Sequence, residues 1–167
     1  MSSKRSTVRR SASLVAAACT AVAWAGLAGT PAHASVTPAT CTVINIGQPA
    51  KFYAHGTYAG EVEQQYDSCH NVRSHFQWSA GFRTAYPGAH VWLDAMEAGG
   101  DTAGSGGNYA YQAPDAYSDW VNIYTDGADT WAADGGIDGP CTTADGIGDW
   151  HDYTNGAEFG SPSDASC

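Results

Sequence analysis

The sequence predicts an all-β fold, a small sandwich or barrel-like domain of short antiparallel strands stapled by two disulfides. Three observations carry this expectation. Apolar and polar residues alternate with a period of two through the first half of the chain, Asx-Gly dipeptides recur through the second, and four cysteines remain once an export segment is set aside.

The export segment comes first. Met1 to Arg10 is basic, Leu14 to Gly29 is an apolar run broken only at Cys19-Thr20, and Ala32-His33-Ala34 has the small-x-small pattern cut by a signal peptidase. Residues 1–34 therefore read as a secretory signal peptide. Arg9-Arg10 lacks the apolar residues that follow a twin-arginine pair, and Cys19 sits inside the apolar run, so neither a twin-arginine signal nor a lipoprotein cysteine is expected. Nothing later approaches about 18 consecutive apolar residues, so no membrane span is expected and the product should be exported and extracellular.

Removing residues 1–34 sharpens the charge. Lys4, Arg5, Arg9 and Arg10 go with them and no acid does. Only Lys51, Arg73 and Arg83 then stand against all 17 acids, a formal charge of −14. Such a surface repels phosphate, which excludes nucleic acid as a partner.

Ser35 to Thr40 contains no large apolar side chain except Val36 and reads as an extended N-terminal arm; residues 41–167 form one domain of ordinary size. Cys41, Cys69, Cys141 and Cys167 are an even set in an exported chain and imply two disulfides. Three connectivities are possible, and chain order favours Cys41 with Cys69 and Cys141 with Cys167. Each loop would stabilise by about 3 kcal/mol, mainly by restricting the unfolded chain.

Tyr58 to Ser68 alternates, with Glu61 and Glu63 on the face opposite Val62, and Val72 to Trp78 alternates likewise. A turn at Tyr86-Pro87-Gly88 leads into Val91, Leu93 and Ala95, alternating with Trp92 and Asp94, which reads as a second strand pair. Residues 98–107 carry no side chain able to pack a core and read as a flexible loop dividing the domain. Beyond it, Asp126-Gly127, Asp134-Gly135, Asp138-Gly139, Asp145-Gly146 and Asn155-Gly156 each suit a tight hairpin turn, which would keep the strands short. Asp119 to Asp129 and Asp149 to Glu158 echo one another as an aromatic strand entering a turn, either a duplicated hairpin or convergent turn chemistry.

The chemistry is less legible. After Arg83 there is no cation against 14 acids, so calcium is one source of counter-charge, but no EF-hand spacing is present. Asp67, His70 and His75, and separately Asp149, His151 and Asp152, have the residue types of metal ligands without their spacing; no metal or cofactor is expected. Glu61 and Glu63, about 6.5 Å apart on one strand face, have a separation that suits an acid/base pair for a small secreted hydrolase, but no nucleophile motif accompanies them. Aromatics beside acids point to ligand or partner contacts, and Trp92, Tyr109 and Tyr111 are the candidates for an exposed platform, which would suit a polysaccharide or cell-wall component.

The signal peptide, low lysine content and the stretches Tyr66-Asp67-Ser68-Cys69, Phe76-Gln77-Trp78 and Pro87-Gly88-Ala89 resemble small secreted actinobacterial proteins. In outline the chain is similar to the adaptor subunits of umbrella-shaped antibacterial toxin particles. That resemblance implies no catalytic role, an N-terminus that inserts into a lectin subunit, and a body that docks on a toxin-bearing chain. Ser35, Val36, Thr37, Pro38, Ala39 and Thr40 would then be the partner-binding arm. The expectation is a secreted, non-enzymatic adaptor that binds other secreted proteins, with a carbohydrate-binding module or a small hydrolase as alternatives.

Overall fold

The computed structural model describes residues 40–99, 102–110, 113–124, 129–141 and 144–167, with strand 102–110 described through its backbone. Ser35 to Ala39 and Tyr111 lie outside the described residues. The elements are β1 (Val43–Ala54), β2 (Thr57–Asp67), β3 (Asn71–Trp78), α1 (Ala80–Ala85), β4 (His90–Glu97), β5 (Thr102–Ala110), β6 (Asp115–Tyr117), β7 (Val121–Asn122), β8 (Thr130–Asp138), β9 (Ala144–Ile147), β10 (Trp150–Asp152), β11 (Ala157–Phe159) and β12 (Ala165–Ser166).

Two sheets share them. The first runs β12-β1-β2-β3-β6, with β7 also on β3; the second runs β11-β10-β8-β4-β5, with β9 also on β8. All pairings are antiparallel except β1 with β12. The all-β expectation holds, and the architecture is an open sandwich of two sheets, not a closed barrel. Cys41 bonds Cys69 and Cys141 bonds Cys167, the local pairing. No helix among the described residues is long and apolar enough to cross a membrane.

The inward faces explain why the sheets meet. Phe52, Val62, Phe76 and Trp78 from the first sheet pack against Val91, Leu93, Ala133, Ile137 and Ala144 from the second. Burial of side chains such as Phe52 and Leu93 stabilises by about 1.5–3 kcal/mol each. Phe76 meets Phe52 edge-on at 5.3 Å and Trp78 at 4.7 Å. Opposite these large rings the second sheet supplies glycine. A Cβ on Gly146 would overlap the Phe52 ring; within the second sheet itself, one on Gly135 would stand 2.9 Å from Cδ2 of Leu93, its register neighbour on β4.

That packing corrects the reading of the Asp-Gly dipeptides. Asp138-Gly139 and Asn155-Gly156 do turn, with positive φ at both glycines. Asp134-Gly135 and Asp145-Gly146 lie instead inside β8 and β9, where Gly135 faces Gly146. Gly146 is small because Phe52 of the opposing sheet needs the space, and Gly135 because Leu93 on neighbouring β4 of the same sheet does. β8 is consequently nine residues long, not short. Asp126-Gly127 lies outside the described residues.

Three other expectations change. Most of the glycine-rich 98–107 segment is strand, since Thr102 to Ala110 pairs with β4; ladder hydrogen bonds come from the backbone and need no packing side chain. The strands on either side of Tyr86-Pro87-Gly88 do not pair, because α1, capped by Ser79 and anchored by buried Phe82, carries the chain from β3 in one sheet to β4 in the other. The echoed segments also differ. Trp150 to Phe159 is a hairpin within one sheet, whereas Val121–Asn122 joins β3 and the following strand, β8, belongs to the second sheet.

Candidate functional site

The outward face of the first sheet carries the densest polar and aromatic cluster. β2 and β3 pair in continuous register, placing Glu63 beside His75 and Gln65 beside Arg73. β6 adds Tyr117 next to His75. β1 adds Asn45 beside Gln65. Inward neighbours Val62, Val72 and Phe76 are fully buried, so alternation obliges these polar residues to face outward.

His75 is held on both nitrogens. Nδ1 lies 2.7 Å from Glu63 Oε1 and Nε2 lies 2.9 Å from Asp115 Oδ1. Burial pulls its pKa down, but hydrogen bonds and charge from the two carboxylates outweigh this and raise it above the ordinary value. The imidazolium form donates to both acids at once.

A column of planar groups grows from it. The His75 ring stacks on Tyr117 at 4.6 Å, the Arg73 guanidinium lies 3.9 Å over Tyr117, and the same guanidinium lies 4.2 Å over Trp120. Arg73 Nε and Nη2 donate to Gln65 Oε1 at 3.0 and 2.8 Å. Gln65 Nε2 donates to Asn45 Oδ1 at 3.0 Å, and Asn45 Nδ2 donates to Glu63 Oε2 at 2.7 Å. The network therefore crosses four strands. Burial lowers the Arg73 pKa from its ordinary value, and the charge survives.

Asn45 stands on an edge that is sealed for only part of its length. β12 pairs with β1 at Phe52 and Tyr53, Asp164 Oδ1 accepts from Lys51 N at 2.8 Å, and Asp149 Oδ1 accepts from Gln48 N at 2.7 Å. Among the described residues no strand pairs with Val43 to Ile46 on that side. Ser68 N donates to Thr42 O at 2.9 Å, so alternation turns the N–H and C=O of Val43 and Asn45 outward, away from β2. Val43 is 42% and Ile44 51% exposed.

The residues expected from sequence are dispersed. Thr40, the last of the proposed arm, is exposed just ahead of β1. Trp92 is half-buried on the second sheet with its indole laid over Gly136, its register partner. Tyr109 lies on β5. Glu61 and Glu63 share a face as expected, but Glu61 accepts from Tyr58 Oη at 3.1 Å while Glu63 serves His75.

Neither suggested metal cluster assembles. Asp67 Oδ1 accepts from Cys69 N and Asn71 N in the β2–β3 turn, and His70 bonds Tyr66 Oη, remote from the His75 clamp. Asp149 holds the β1 edge while Asp152 caps its own turn through Thr154 and Asn155. Among the described residues, the one three-residue group at ligand spacing is Cys41, Asp67 and Cys69, and both its sulfurs are in the disulfide.

Sequence reading missed the column. Arg73 and His75 were visible as one parity of β3, but Asp115, Tyr117 and Trp120 come from some 40 residues further along and only the sheet register brings them in. Comparison with protein-family models, with curated proteins and with solved structures finds no match for this chain.

Proposed function

We propose that the protein is an extracellular, non-enzymatic protein-interaction domain, an adaptor subunit in a secreted antibacterial toxin assembly. The observation that carries the binding role is the open stretch of β1. Exposed edges invite pairing, and this fold protects the same strand everywhere from Gln48 onward with a bulge, two carboxylate caps and β12. Leaving Val43 to Ile46 open, with two outward residues and two exposed apolar side chains, suits addition of a partner strand. In the sequence, Ser35 to Thr40 stand immediately before Cys41, Thr42 and this strand.

Two further features agree. His75 has both nitrogens engaged by carboxylates, so it has no nitrogen free to accept a substrate proton. The two disulfides fit an oxidising, extracellular setting, and the excess of acids favours a basic partner surface.

The test is affinity purification of the tagged protein from its own culture supernatant, with Val43→Pro alongside. Proline there removes an outward N–H without touching the β2 ladder. The expected outcome is an unchanged melting curve and loss of co-purifying protein. Recovery of the same partners by the variant would refute the edge as the docking element.

A further inference from the structure

Arg73 is one of three cations left once residues 1–34 are set aside, against 17 acids. Even so, among the described residues both ion pairs belong to His75, and no carboxylate comes within 4.0 Å of the Arg73 guanidinium. The group is nonetheless fixed. A neutral amide, Gln65, takes Nε–H and one Nη2–H on a single oxygen, while Tyr117 and Trp120 hold the plane. A guanidinium has five N–H bonds, so three remain, including the parallel pair on the Nη1–Nη2 edge.

We propose that this edge of Arg73, between Tyr117 and Trp120, is a binding subsite for a carboxylate carried by a polypeptide partner of neutral or basic overall charge. Carboxylate is the group that matches two parallel N–H bonds in one plane, and the flanking rings restrict the approach to that plane. Because the chain outside residues 1–34 carries a formal −14, it repels polyanions at long range, which selects an isolated acidic side chain on a surface that is not itself acidic. The Gln65–Asn45 hydrogen bond joins this subsite to the open β1 edge, which favours a polypeptide over a saccharide acid as the source. The proposal rests on the partner-binding reading, but its test does not use the edge.

Isotope-labelled protein is titrated with the capped peptide acetyl-Lys-Gly-Glu-Gly-Lys-amide, with its Gln counterpart and with D-glucuronate, following the Arg73 Nε–H and Trp120 indole N–H resonances. The expected result is a saturable shift with the Glu peptide and an affinity about tenfold weaker for the Gln peptide, the loss of one charge-assisted bidentate contact. Arg73→Lys keeps the charge but lacks the fork and should lose a similar factor. Gln65→Glu supplies an internal carboxylate to Arg73, preserves the shape of the side chain, and should close the subsite while the protein stays folded.

The proposal is overturned by absence of a saturable shift up to about 20 mM Glu peptide, by equal affinity for the two peptides, or by unchanged binding in either variant. Tighter binding of glucuronate than of the Glu peptide overturns the polypeptide source. Peptide binding together with partner recovery by Val43→Pro sinks the edge and leaves the subsite standing; the reverse pair of results does the opposite.

Discussion

The imidazole of His75 lies parallel to the phenol ring of Tyr117, their centroids 4.6 Å apart and their planes within 9°. The same ring bonds Glu63 on β2 and Asp115 on β6, so one side chain of β3 ties together both neighbouring strands. Charge on His75 is therefore a term in the stability of the sheet.

The sign of its pH dependence follows. Because the folded-state pKa is raised, the stabilisation is fully present below the ordinary histidine value of about 6.5 and is lost as pH rises through the higher folded value. Replacing His75 with Gln should cost roughly 1–3 kcal/mol at pH 6, where two carboxylates lose a charged donor. The deficit should shrink at pH 9. Denaturant melts of both proteins at the two pH values measure it, and equal deficits would show that the ring acts by packing alone.

Asp134 titrates in a different window. It is 5% exposed in β8, directly opposite Asp94, and burial first, then the charges of Asp94 and Asp145, raise its pKa to about 7 against the opposing backbone hydrogen bond. The unfolded chain releases this proton near pH 4, so stability should fall between about pH 4 and 7 and level off above it. Asp134→Asn cannot ionise. It should be more stable than the parent at pH 8 by roughly 1 kcal/mol, about 4 °C in the midpoint, with a flatter profile from pH 4 to 7. A parent-like profile in calorimetry would place the acid-range titration elsewhere.

Asp149 connects the sheets at the point where the β1 edge changes from open to sealed. Its carboxylate accepts from Gln48 N and lies where a Cβ on Gly47 would fall, and Gly47 also has φ of 72°. Asp149→Ala should destabilise by about 0.5–1.5 kcal/mol through loss of the part-buried hydrogen bond from Gln48 N–H. Gly47→Ala should be comparably harmful, since it meets both strain and overlap. Hydrogen exchange should locate the loss at Gln48 in the first variant. Full protection of that amide without the carboxylate would mean that another group caps the bulge.

Legibility in the sequence tracked the range of the interactions. The β2, β3 and β4 alternation reads directly because neighbours along a strand face opposite sides, and the buried Val91, Leu93 and Ala95 sit where period two puts them. The parity in β2 breaks at its start, where Ala59 is buried and Tyr58 exposed, because a bulge shifts the register between Phe52 and Tyr53 of β1. No local pattern announces it. The glycines of β8 and β9 carry the same dipeptides as real turns, and Phe52 across the sandwich and Leu93 on neighbouring β4 distinguish them.

By itself the sequence determined that this is a disulfide-bonded, strongly acidic all-β chain, because composition, cysteine parity and strand periodicity are properties of residues and their near neighbours. Which sheet each strand joins, that Glu63 and Asp115 clamp His75, and that among the described residues no carboxylate comes within 4.0 Å of Arg73 and no strand pairs with the outer side of Val43 to Ile46, were decided by tertiary structure. Those facts depend on register between segments more than a hundred residues apart, as with Gln48 and Asp149, and register is fixed only when both faces of both sheets find their packing together.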